Sequence, residues 1–364
     1  MTVPFLDLSS GYKELKSQLD VKITDVLKSG IYIGGKYVEE FEDEYKNYTN
    51  SNYCVGVGNG FDALYLSLIS LNIKEGDEVI VPANTFIATW LAVSKCGAVP
   101  IPVDISRDTC NIDTTKIESV INSRTKAIIP VHLYGNPCNM NEIHKISSHH
   151  KLKVIEDAAQ AHGASYNYSS IGKDSDLTAW SFYPGKNLGC FGDGGAITTN
   201  NEELAKRIRA LRNYGSSKKY IHEAIGINSR LDPLQAGILS VKLNYLDVWN
   251  QRRQKVAARY INELSSLPLE FPSTLPNSSS SWHLFTIQIQ ERENLRDYLG
   301  ERGIQTLIHY PIPPHKQKAY YAMGKDSYPN AEWLSEHTLS LPIGPHIQEE
   351  QVDEVVKAIK SFYS

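Results

Sequence analysis

Cysteine is sparse in this 364-residue chain: the five present, Cys54, Cys96, Cys110, Cys138 and Cys190, are widely separated and form no C-x-x-C pair. An odd number at such spacing argues against a disulfide framework or a zinc site, so reduced thiols are the default and no metal centre is expected. Long apolar runs are missing as well. No stretch of about eighteen apolar residues occurs, which is too little for a membrane-spanning helix. The opening Met1-Thr-Val-Pro-Phe-Leu-Asp-Leu-Ser9 has neither the charged nor the apolar region of a secretory leader. A cytoplasmic protein without membrane association is the expectation. Positive charge is not in excess: 37 Lys and Arg against 41 Asp and Glu give a net charge of -4. With no long basic run, a stripe that tracks nucleic-acid phosphates is not expected. There is no internal repeat and no low-complexity tract, and the serine run at 278–281 and the proline-rich 311–314 are the only weak linker candidates.

What is present is a globular composition with alternating elements. At 41% hydrophobic residues the chain can bury the core of one large α/β unit and a smaller one. Residues 13–29 carry apolar positions at helical spacing and stop at Gly30. Strand-like runs follow at 55–57, 78–86, 99–103, 127–135 and 153–155, with helical patterns at 87–96, 113–122 and 139–151. Such alternation predicts a mainly parallel sheet covered by helices on both faces. Further on, 202–212 reads as a solvated basic helix and 239–264 as one long helix. Residues 282–290 and the run from Thr306 read as two strands, and 293–302 and 349–363 as helices. The expected organisation is a large domain over 1–245 and a smaller α+β domain over 246–364 that folds back over the site.

The chemistry is concentrated in residues 154–199. Val154 and Ile155 run into Glu156 and Asp157, the position where open α/β sheets present ligand groups. Asp157 reads as a strand-end acid or as an N-cap for the Ala-Ala-Gln-Ala that follows. The Ser181-Phe182-Tyr183 run reads as a short strand that ends in Pro184-Gly185-Lys186-Asn187-Leu188-Gly189, through which no helix can continue. Lys186 is thereby held on a constrained loop among Phe182, Tyr183, Leu188, Cys190 and Phe191. Partial desolvation there would lower its pKa and make the amine nucleophilic enough for a Schiff base. An amine for an aldehyde and an anion for a ring nitrogen are what a pyridoxal phosphate enzyme needs. Upstream, Gly58-Asn59-Gly60-Phe61 turns a strand into a helix, and the free N–H groups of that helix start are an anion site.

Taken together, E-D-A-A-Q-A-H-G from Glu156 and S-F-Y-P-G-K-N-L-G-C-F-G-D-G-G-A from Ser181 closely resemble the DegT/DnrJ/EryC1/StrS family of sugar aminotransferases, which have the type I fold of pyridoxal phosphate enzymes. The resemblance implies roles for further residues. Lys186 and Asp157 become catalytic, and Gly60, Phe61 and Ser181 join the phosphate cradle. Phe86 stacks on the pyridine ring, Gln160 holds the ring oxygen, and Asn228 reaches the phosphate of a neighbouring subunit in a homodimer with shared active sites. Tyr183, Arg230, His309, Tyr310 and His315 fall on the substrate side. From the residues alone, Phe86 reads equally as core and Arg230 as a structural ion pair. His309, Tyr310 and His315 read equally as surface decoration, and His132 is a satisfied core histidine or a catalytic one.

The implied reaction is a two-stage transamination with L-glutamate as donor and a nucleotide-linked keto sugar as acceptor. Y-P-x-K-N-L-G with G-D-G-G is similar to members acting on dTDP-3-oxo-6-deoxyhexoses, whereas many 4-oxo enzymes carry K-N-I-T-T-G-E-G-G. A dehydratase of the same fold has histidine in place of Lys186, and a non-catalytic sugar-nucleotide sensor should have lost the lysine or the acid. A nicotinamide dehydrogenase needs G-x-G-x-x-G, and Gly56-x-Gly58-x-Gly60 lacks that spacing.

Overall fold

The computed structural model describes residues 2–323 and 326–364. In chain order the strands are β1 (Tyr53–Val57), β2 (Glu78–Pro82), β3 (Val99–Val103), β4 (Thr125–Ile128) and β5 (Lys153–Asp157). Then come a two-residue hairpin of β6 (Ser165–Tyr166) and β7 (Ser169–Ser170), β8 (Leu177–Ser181), β9 (Gly195–Thr199), β10 (Phe285–Gln288) and β11 (Thr338–Leu341). Seven of them form one sheet in the order β1-β9-β8-β5-β4-β2-β3. The β3/β2, β2/β4, β4/β5 and β5/β8 pairs are parallel, and β9 runs antiparallel to both β8 and β1. This is the mainly parallel α/β sheet that the alternating pattern implies.

Around the sheet lie α1 (Leu8–Ser29), α2 (Lys36–Tyr48), α3 (Gly60–Ser70), α4 (Ala88–Lys95), α5 (Thr114–Ile117), α6 (Met140–His150), α7 (Glu202–Leu211), α8 (Pro233–Leu243) and α9 (Leu246–Leu264). Local chemistry sets their ends. Asp7 caps α1 by accepting Ser9 N–H at 2.9 Å, and Gly30 closes it in the left-handed region at φ +67°. Successive residues of a central strand point to opposite faces, so Val79, Val81, Ile155 and Ala179 join the α3/α4 core, while Ile80, Ile128 and Val154 join the α6 core. Both faces are covered, which is why these strands read as continuous apolar runs.

After α9 the chain forms α10 (Arg292–Glu301), α11 (Pro329–His337) and α12 (Glu349–Phe362) around the β10/β11 pair. Their core of Phe285, Ile287, Leu295, Leu339, Val355 and Ile359 takes in Val3 from the amino-terminal segment and Ala257, Tyr260 and Leu264 from α9. The same α9 sends Leu246 into the core under the sheet. One helix therefore ties the two cores together.

Three readings of the sequence are corrected. The helix expected over 239–264 is two helices, because Tyr245 turns back to bond the Lys242 carbonyl and a new helix starts at Leu246. The strand expected from Thr306 is only an isolated bridge between Leu307 and Ser340. Residues 182–183 lie outside the preceding strand, which ends at Ser181 as the Pro184 turn begins.

Candidate active site

Four loops at the carboxyl-terminal ends of strands build the site. The first follows β1. Asn59 caps α3 by accepting the Asp62 N–H at 2.8 Å, which leaves the Gly60 and Phe61 N–H groups without an acceptor among the described residues. A Cβ on Gly60 would stand 2.7 Å from the Ser181 Cβ, so only glycine lets the helix start approach the end of β8 this closely. Ser181 Oγ accepts Tyr183 N–H and keeps its own proton for another partner. Two free amides and a hydroxyl at a helix N-terminus form a cradle that fits a phosphate.

The second loop, after β2, presents Phe86 with 52% of its surface exposed, its ring 5.5 Å from that of Tyr310. The third follows β5. Asp157 is 6% exposed; its Oδ1 accepts Ala159 N–H at 3.2 Å and its Oδ2 accepts the Thr89 hydroxyl at 2.9 Å. Burial pushes its carboxyl upward, and the Thr89 and Ala159 bonds and the Lys186 charge oppose that shift. Gln160 is fixed at both ends of its carboxamide, accepting Tyr134 N–H at 2.6 Å and donating to the Tyr310 hydroxyl at 3.1 Å.

The fourth loop, between β8 and β9, carries Lys186. Its backbone turn is closed by Lys186 N–H to the Tyr183 carbonyl at 2.8 Å and Cys190 N–H to the Phe182 carbonyl at 2.8 Å. Outside the turn, Lys242 donates to the Gly189 carbonyl at 2.5 Å. Asn187 donates to Asn250 at 2.8 Å and to the Ser281 carbonyl at 2.7 Å. The Lys186 ammonium has no hydrogen bond or ion pair among the described residues, and burial brings it down to about 8 against the pull of Asp157. Near it, burial and the Lys186 charge push His309 down to about 4, and His309 Nδ1 lies 2.8 Å from the Ser340 hydroxyl. Tyr310 packs edge-on against His309, and Tyr183 is 60% exposed at the mouth.

Lys186, Asp157, Gln160, His309, Tyr310 and Phe86 are thus linked through contacts or through mutual charge effects, with Gly60, Phe61 and Ser181 at the adjoining helix start. The remaining predicted residues have other partners within the chain. Asn228 is exposed and pairs by backbone with Asn213, while Arg230 donates to Asn213 Oδ1 at 3.1 Å. His315 lies 3.2 Å from Glu332 and packs on Tyr328. His132 is fully buried. Its Nδ1 accepts Cys138 N–H at 3.0 Å, so Nε2 carries the proton and donates to Glu156 at 2.8 Å. That is a structural pair. Thr89, Lys242 and Asn250 escape a reading of the sequence, because each lies in an ordinary helical pattern with no motif beside it.

An amine and a carboxylate facing one slot, with an exposed aromatic and an anion cradle on the same loops, fit pyridoxal phosphate. The fold and this donor set define a pyridoxal-phosphate-dependent transferase. Residues 13–360 match the family model described as the DegT/DnrJ/EryC1/StrS aminotransferase family. A dTDP-3-amino-3,6-dideoxy-alpha-D-galactopyranose transaminase from Aneurinibacillus thermoaerophilus is 50% identical over 360 residues, covering 99% of each chain. The crystal structure of DesV from S. venezuelae in complex with a ketimine intermediate superimposes with a TM-score of 0.98 at 49% identity, covering 99% of this chain and 98% of that one. The structure of NtdA from Bacillus subtilis with bound cofactor PMP gives 0.94 at 37% identity over 99% of this chain and 85% of that one. The chain belongs to the DegT/DnrJ/EryC1/StrS aminotransferase family, and its cofactor is pyridoxal phosphate.

Proposed function

We propose that the protein transfers the amino group of L-glutamate to the 3-oxo carbon of a dTDP-linked 6-deoxyhexose, giving a dTDP-3-amino-3,6-dideoxyhexose. One observation carries the transaminase part: Lys186, alone in the slot with Asp157, is brought down to about 8, so that its amine is nucleophilic near neutral pH. The sugar rests on the 50% identical relative from Aneurinibacillus thermoaerophilus, named for a dTDP-3-amino-3,6-dideoxyhexose. The amino donor rests on the family resemblance.

When bound, pyridoxal phosphate supplies an aldehyde for an amine and a ring that accepts electrons. The Gly60 and Phe61 N–H groups and the Ser181 hydroxyl hold the phosphate. Asp157 holds a proton at the ring nitrogen, which requires its carboxyl to be ionised. Gln160 would donate to the ring oxygen, and the exposed Phe86 would pack against the ring. Lys186 Nζ takes the proton from the donor's Cα and later delivers one to the sugar carbon. Tyr183, His309 and Tyr310 line the sugar side, with His309 neutral at working pH and able to offer one donor and one acceptor. The substrate-side roles of Arg230 and His315 rest on the family resemblance alone, since within the chain they pair with Asn213 and Glu332.

A homodimer completes the site. Asn228 is exposed and its carboxamide has no partner among the described residues, as expected of a group that serves the neighbouring protomer's phosphate. No helix of the described residues is long and apolar enough to cross a membrane, and soluble nucleotide sugars fit a cytoplasmic enzyme. The test is to incubate the holoenzyme with glutamate and, separately, dTDP-3-oxo and dTDP-4-oxo 6-deoxyhexoses, and to analyse the products by chromatography and mass spectrometry. Amination of the 3-oxo sugar is expected; amination of only the 4-oxo sugar overturns the regiochemistry.

A further inference from the structure

Thr89 lies in the first turn of α4, 1% exposed, beneath the carboxylate of Asp157. Its Oγ1 is 2.9 Å from Asp157 Oδ2, 3.0 Å from the Thr85 hydroxyl and 3.3 Å from the Phe86 carbonyl. A hydroxyl has one proton to give. The carboxylate is the nearest and strongest of these acceptors, so the Thr89 proton goes to Asp157 and the Thr85 proton to Thr89. Two hydroxyls therefore form an ordered chain that ends on the acid.

Asp157 has little else to keep it ionised. The groups facing it are Lys186 from the β8–β9 loop, His132 from behind β5, and Tyr310 and Cys138, which can add only negative charge. His132 is neutral in the tautomer fixed by Cys138 N–H. The Lys186 charge is not a constant of the site, because its amine is the reacting group. What persists through turnover is the Ala159 N–H on one oxygen and the Thr89 hydroxyl on the other.

Resting on the reading of Asp157 as the partner of the ring nitrogen, we propose that Thr89 is a positioning residue whose hydroxyl keeps Asp157 ionised and turned toward the slot. One bond on each oxygen fixes the plane of the carboxylate, and the free lone pairs are left for the ring N–H.

The experiment reads the nitrogen directly. Wild type, Thr89→Val, Thr89→Ser and Asp157→Asn are loaded with pyridoxal phosphate labelled with 15N in the ring, and its chemical shift is followed against pH. Wild type and Thr89→Ser should keep the ring nitrogen protonated. Thr89→Val, nearly isosteric, should release the proton at lower pH and lose about 10- to 100-fold in kcat, the fold-change of one hydrogen bond to a charged group, with KM for the sugar little changed. A wild-type shift in Thr89→Val, or loss of the proton in Thr89→Ser, overturns the proposal. Should Thr89→Val not fold, Thr89→Ala decides: it removes the same bond with less bulk and must release the proton at lower pH, and a wild-type shift in it overturns the proposal. Asp157→Asn separates the two readings. If it leaves the nitrogen protonated, the role of Asp157 itself fails; if it does not while Thr89→Val does, only Thr89 is dismissed.

Discussion

Asn187 and Asn250 are joined carboxamide to carboxamide: Asn187 Nδ2 donates to Asn250 Oδ1 at 2.8 Å, and Asn250 Nδ2 donates onward to the His162 carbonyl at 2.9 Å. Asn187 follows the lysine, and His162 lies five residues beyond Asp157. A single buried side chain on α9 therefore fastens the loop that carries the amine to the segment that carries the acid. Asn250→Leu removes both bonds and leaves two buried partners unsatisfied, and should lower unfolding free energy by about 1–3 kcal/mol for each. Urea denaturation of the holoenzyme measures the loss, and faster release of the cofactor on dilution should accompany it.

Lys186 controls the pH at which apoenzyme takes up its cofactor. With its amine at about 8 instead of the usual 10.5, roughly 300 times more of it is neutral at pH 7 than for a free lysine. The depressed value means that the ammonium is disfavoured in the fold, so the reactive amine is gained as pH rises through that value. The rate of pyridoxal phosphate capture, followed by absorbance, should climb with pH to a plateau above about 8. Lys186→Arg should capture none covalently.

His132 and Glu156 form a buried pair that does no chemistry. His132→Ala removes one hydrogen bond from the buried Glu156 carboxylate, which keeps the Gly172 N–H at 3.3 Å, and should cost about 1.5–3 kcal/mol. Thermal unfolding should show it, while kcat of the folded fraction stays at the wild-type value.

Gly60→Ala places a methyl 2.7 Å from the Ser181 Cβ. Overpacking of that kind costs about 1–3 kcal/mol. Because the strain falls on the phosphate cradle, the larger effect should be on the dissociation constant for pyridoxal phosphate, measured by equilibrium titration of apoenzyme, with stability of the apoenzyme changed less.

Much of this site is legible in the sequence, because its chemistry sits where chain geometry is constrained. Val154–Asp157 reads as a strand that ends in acids since buried parallel strands are apolar throughout, and Pro184-Gly185 marks a turn that holds Lys186 at a strand end among apolar neighbours. Thr89, Lys242 and Asn250 are silent for the opposite reason. Each belongs to an ordinary helix, and what distinguishes it is a partner from 53 to 68 residues away that only the folded chain supplies. The break at Tyr245 is also invisible, since neither Gly nor Pro marks it and Leu246 resumes the helical pattern at once. The run from Thr306 reads like a strand, yet among the described residues it pairs as one only at Leu307, in a single bridge to Ser340.

Glu156 and Asp157 are chemically near-twins that β5 sends to opposite sides of the sheet, one to His132 and the other to Thr89 and the slot. A shift of β5 by a single residue against its neighbours would turn each acid to the opposite face, taking Asp157 out of the slot and Glu156 away from the histidine. Parity along one strand thus decides which carboxylate reacts and which is scaffold, and an insertion or deletion just upstream of Val154 should inactivate the enzyme even where both acids survive.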